Sequence, residues 1–112
     1  MRTELGSEFW DIPLAPMENG IFPPHTAWYL SGRTALTAIL TDLCAKKSIH
    51  TAALPSWCCH TMIAPFSDAG IKVFFYPVFV ADGMLRQERG DCPSCDVTLV
   101  MDYFGYPREP FT

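Results

Sequence analysis

Three apolar, β-prone runs stand at 50–54, 71–80 and 96–103, and a segment of helical period ending in Gly70 separates the first two. This alternation constrains the fold more than any other feature of the chain. Short apolar runs without polar alternation are strands buried on both faces, and a helix between two of them is the usual crossover between parallel neighbours. A second helical pattern at 33–47 precedes the first run, with Leu36, Ile39, Leu40, Leu43 and Cys44 at helical spacing. Lys46 and Lys47 fall in its last turn, where the helix dipole favours positive charge. A β-favouring stretch at 26–30 comes before it. The order strand, helix, strand, helix, strand, loop, strand predicts an α/β fold: a partial, mostly parallel sheet joined by right-handed helical crossovers.

Punctuation sets the boundaries. Pro55 ends the first run, Ser56 is a candidate cap for a helix at 57–69, Pro65 shortens or kinks that helix, and Gly70 stops it. Pro77 limits pairing in the second half of 71–80. Residues 81–95 are polar and carry Gly83, Gly90 and Pro93, which predicts a loop where another crossover helix is expected. Gly105 and Pro107 close the third run. In 1–26, Pro13, Pro16, Pro23 and Pro24 prevent a long helix, while Phe9, Trp10 and Phe22 mark an arm that packs on something. The organisation expected is an arm at 1–26 and one incomplete domain at 27–112.

A chain of 112 residues supports one domain at most. Its net charge of -4, without a basic stripe, argues against nucleic acid as a partner. No run approaches the roughly 20 apolar residues of a membrane span, and the acidic start lacks a signal-peptide core. Five cysteines are an odd number, so they cannot form a complete disulfide framework within one chain, and a cytoplasmic setting is expected.

Several stretches carry chemistry. Ser31-Gly32-Arg33-Thr34 lies between a predicted strand and a helix, at what would be the carboxyl edge of the sheet. There, free helix N–H groups, two hydroxyls and a guanidinium can hold an anion; ordinary capping by Ser31 is the competing reading. Cys92-Pro93-Ser94-Cys95 has the spacing of a metal or redox pair, and Cys58, Cys59 and His60 could add zinc ligands. Against this, adjacent cysteines point apart, and a redox Cys-x-x-Cys normally opens a helix, so loop cysteines beside buried ones are the simpler account. His25 and His50 read as structural. Asp102, at the end of an apolar run, is the best-placed acid, or a cap for the turn that follows it.

Set in order, SGRTAL, LPSWCCHTMIAPFSDAGIKVFFYPV and DVTLVMDYFGY resemble the amino-terminal part of the DegT/DnrJ/EryC1/StrS sugar aminotransferases, pyridoxal-phosphate enzymes of fold type I. LGSEFWDIP is similar to their entry segment. The resemblance implies the start of the large, cofactor-binding domain, in enzymes that move an amino group between an amino acid and a keto-sugar nucleotide for surface polysaccharides. It implies a dimer with active sites near the subunit interface, so self-association is expected. It implies that Gly32, Arg33 and Thr34 meet the cofactor phosphate, and that Cys59 occupies the place of the ring that stacks on the pyridine. Asp102 stands where the family commonly has histidine. The family's Schiff-base lysine and its acid for the pyridine nitrogen have no counterpart here: Lys46, Lys47 and Lys72 do not fit that position, so no catalytic residue is assigned. Two other expectations remain beside this one. They are an inactive remnant serving as an interaction module, and a small zinc or thiol protein.

Overall fold

The computed structural model describes residues 25–105 and 111. Most of the expected arm and Pro107 lie outside the described residues. Helix α1 spans Gly32–Lys46. Its start is a reciprocal capping box: the Thr34 N–H donates to Ser31 Oγ at 3.2 Å, and the Ser31 N–H donates to Thr34 Oγ1 at 3.0 Å. Only Leu40 of the apolar stripe is fully buried, while Leu36 and Leu43 are half-buried and Ile39 and Cys44 are exposed. Strand β1, Thr51–Pro55, follows and is the most deeply buried element.

Helix α2 spans His60–Asp68, three residues later than Ser56 capping would place it. Ser56 is occupied elsewhere: its N–H continues the ladder to the Tyr76 carbonyl, and its Oγ accepts the N–H of Val78 at 3.2 Å. The end of α2 fits Gly70 closely. With Gly70 at φ +73, its N–H reaches the Ser67 carbonyl, the Ile71 N–H reaches the Phe66 carbonyl, and the Ile71 and Phe66 side chains share one core cluster. This is a Schellman stop with its hydrophobic contact.

Strand β2, Lys72–Tyr76, pairs with β1 in parallel, and so does β5, Val97–Thr98, on β1's other side, giving the order β2-β1-β5. A small parallel sheet with helical cover is thus present. Side chains of β1 alternate between two cores. Ala52 and Leu54 meet Leu40, Phe66 and Ile71 beneath the helices. Ala53 meets Tyr76 and Cys92 on the opposite face. There the loop around Cys92 supplies the cover that a crossover helix would otherwise provide.

Three further expectations are corrected. Residues 26–30 form no strand; β propensity reflects packing on a half-buried pleat, and Trp28, Tyr29 and Leu30 are exposed. Residues 81–95 are not all loop. Strands β3, Val78–Ala81, and β4, Met84–Gln87, form an antiparallel hairpin around Asp82 and Gly83, both at positive φ, as a two-residue type I′ turn requires. The third apolar run contributes only two residues to the sheet, because past Leu99 its backbone is held by a side chain. Buried Gln87 accepts the Met101 N–H at 3.2 Å and donates its amide to the Met101 carbonyl. The Tyr76 hydroxyl lies between the Leu99 carbonyl, at 2.7 Å, and Gln87 Oε1, at 3.0 Å. At its other end β5 is clasped by Asp96, whose Oδ2 accepts from the His50 N–H, the Thr51 N–H and the Thr51 hydroxyl, each at 2.9 Å.

Candidate functional site at the strand switch point

The chain leaves β1 for β2 on one side and returns to β5 on the other. In open parallel sheets the crevice beyond the carboxyl ends at such a reversal is where ligands bind. Here that place lies between the β1–α2 connection, Ser56 to Cys59, and the segment after β5. The two segments are tied together: the Tyr103 hydroxyl donates to the Trp57 carbonyl, and the Tyr103 ring stacks on Trp57 with centroids 5.4 Å apart. Phe104 meets Trp57 edge-on at 6.3 Å and is held at φ +56, uncommon for a bulky residue. Tyr103 is buried, whereas Trp57 and Phe104 are 57% and 81% exposed, so the cluster presents aromatic surface outward. The main-chain carbonyl of Asp102 accepts the Gly105 N–H, closing the turn that carries the rings.

Cys59 caps α2 without a side-chain bond to its backbone. Its thiol lies 2.9 Å from the Thr61 hydroxyl. That hydrogen bond holds the Cys59 thiol below the ordinary cysteine range. Burial, then the neighbouring Cys59 charge, pushes Cys58 the other way. Burial also raises the Tyr103 phenol, with Cys58 adding to the effect.

The four residues expected to hold a cofactor do not converge. Arg33 pairs with Asp68 at 3.5 Å, tying the first turn of α1 to the last turn of α2, from which the chain enters β2 at its amino end. Cys59 lies at the opposite end of α2, about 13 Å away at 1.5 Å per residue. The turn at Ser31 is therefore not brought to the strands' carboxyl ends. Its polar groups serve the cap, with the Thr34 hydroxyl also donating to the Ser31 carbonyl at 2.8 Å. Gly32, Arg33 and Thr34 thus stand at the start of α1, and Cys59 at the start of α2. The lysines lie away from the crevice: Lys46 pairs with Asp42 at 2.7 Å, Lys47 ends α1, and Lys72 lies over the Phe74 ring at the start of β2.

Among the described residues no three His, Cys, Asp or Glu side chains gather to hold a metal ion. Cys58 and Cys59 lie at the switch point, while Cys92 and Cys95 belong to the core on the face opposite the helices. His50 is structural, its ring meeting Ser48 Oγ at 2.7 Å. The aromatic cluster was missed in the sequence, though a signal existed. Trp57 follows the first apolar run and Tyr103 ends the third, and carboxyl ends of neighbouring parallel strands meet. Comparisons with protein-family models, curated proteins and solved structures yield no match. No described helix is long and apolar enough to cross a membrane.

Proposed function

We propose that this chain is the opening segment of the cofactor-binding domain of a pyridoxal-phosphate-dependent, DegT/DnrJ/EryC1/StrS-like aminotransferase. The complete enzyme exchanges an amino group between an amino acid and a keto-sugar nucleotide. The observation carrying this reading is the parallel order β2-β1-β5, whose switch point gathers Trp57, Cys59 and Tyr103 beside the start of a crossover helix. It joins the order of the three resembling motifs. In this role the segment supplies scaffold and one wall of a crevice. Chemistry that needs a lysine at that crevice comes from elsewhere in the enzyme.

The test is the size and colour of the species in source cells, captured with an antibody to this segment. The expected result is a protein several times heavier than this chain, with visible absorbance that borohydride bleaches. A species of this chain's own mass, colourless with added pyridoxal phosphate, refutes the reading.

A second reading, an assembly module, is favoured by a different observation. Among the described residues β2 and β5 are open sheet edges, and Leu30, Val80 and Met84 are exposed, Leu30 at 99%. Self-association measured by sedimentation, without cofactor, supports it.

A further inference from the structure

The Cys-Pro-Ser-Cys loop is used by neither reading, and its environment is specific. Gly90, at φ +53, runs so close to Pro77 that a Cβ there would lie 3.1 Å from the proline ring. The Cys92 N–H donates to the Arg89 carbonyl and Arg89 Nε donates to the Cys92 carbonyl, both at 3.0 Å, which closes a turn. Pro93 then fixes one backbone angle between the cysteines. The two cysteines share one core cluster, Cys92 buried with Ala53 and Tyr76 and the half-buried Cys95 packed against it, its thiol donating to the Pro93 carbonyl at 3.4 Å. All five cysteines are free thiols. With no third ligand gathered beside it among the described residues, the pair is arranged for sulfur–sulfur chemistry rather than chelation.

We propose that Cys92 and Cys95 form a thiol–disulfide switch, taking a small-molecule disulfide as oxidant, that locks the loop covering the second face of the sheet. Cys95 is the entry point because it is the more exposed sulfur. Its thiolate attacks one sulfur of the small disulfide, forming a mixed disulfide and expelling one small thiolate. Cys92 gives its proton to solvent and attacks the Cys95 sulfur, closing the internal bond and expelling the second thiolate. Two protein thiols are oxidised by two electrons, and one small disulfide becomes two thiols. Burial raises the Cys92 thiol, so this second step is the slower one. Closure ties the loop's two ends across Pro93 and Ser94, directly over Ala53.

The test uses the whole chain equilibrated in glutathione buffers of increasing disulfide content, then alkylated and digested with trypsin. Cleavage after Arg89 and Arg108 leaves Cys92 and Cys95 together on one peptide, apart from Cys44 and from Cys58 and Cys59. The expected result is concerted loss of both alkylation sites, with loss of two hydrogens in mass. In Cys92→Ser, Cys95 should instead retain a single glutathione adduct. Slower amide exchange at 51–54 in the oxidised form reports the lock. Double alkylation across the whole series, or adducts that never resolve, overturns the switch. A closed bond with unchanged exchange at 51–54 overturns the lock.

Discussion

Replacing Gln87 by Met keeps the side chain's length and removes its amide, which isolates the knot beneath the end of β5. Three hydrogen bonds disappear: two to the Met101 backbone and one from Tyr76. Tyr76 keeps an acceptor, because its hydroxyl is closer to the Leu99 carbonyl. The Met101 N–H and C=O are left without Gln87, and Met101 is half-buried, so water repairs them only in part. An orphaned buried group costs roughly 1–3 kcal/mol, so the expected loss is about 1–2 kcal/mol, or on the order of 5–10 °C in Tm for a domain of this size. Tyr76→Phe should cost about 1 kcal/mol, and the double variant less than the sum, because both touch Gln87 Oε1. Thermal and urea unfolding followed by circular dichroism measure all three. Lys46→Ala is the control, since its exposed pair with Asp42 contributes at most ~0.5 kcal/mol. If Gln87→Met melts with the control, the knot does not hold the segment after β5 and the reasoning fails.

Asp96 titrates below the ordinary carboxylate range because the His50 and Thr51 N–H groups and the Thr51 hydroxyl bond to its charged form. Its contribution to stability is present above the unfolded-state value, roughly 3.9, and is lost as pH falls through the lower folded value. Asp96→Asn should flatten that acid limb in a series of urea melts. Gly70→Ala forces a Cβ into a left-handed position where open space offers no compensating contact, and should cost about 1–2 kcal/mol in the same assay. Iodoacetamide at neutral pH should label Cys59 before Cys58, and Thr61→Val should slow the labelling of Cys59, as read by fragment-ion mass spectrometry.

How much was legible follows from what each residue had to do. The start of α1, β1, the Gly70 stop and the parallel pairing rest on local pattern, and the chain read them correctly. The polarity of 81–95 as a block hides the β3–β4 hairpin, although Asp82-Gly83 between Ala81 and Met84 is a hairpin signal. Local pattern alone makes Ser56 a cap, the commonest role of a serine beside a helix. Its hydroxyl instead bonds Val78, a partner 22 residues away that no local window contains. The gap between Arg33 and Cys59 was invisible for a similar reason. Each sits at a helix start, and only the Arg33–Asp68 pair reveals that α1 begins beside the end of α2.

The clasp at Asp96 also bears on the order in which the chain finds its shape. The β1–β2 register joins residues about twenty apart and carries its own crossover helix, whereas Asp96 bonds to residues 45 and 46 positions earlier. Longer loops close at greater entropic cost, by about 0.6 kcal/mol per doubling, so the β1–α2–β2 unit is the natural nucleus and β5 docks afterwards. Contacts made after the rate-limiting step govern escape rather than arrival. Asp96→Ala should therefore quicken unfolding in stopped-flow chevrons and leave the refolding limb nearly where it was. The last strand would then act as a latch, setting how long the folded chain lasts and not how fast it forms.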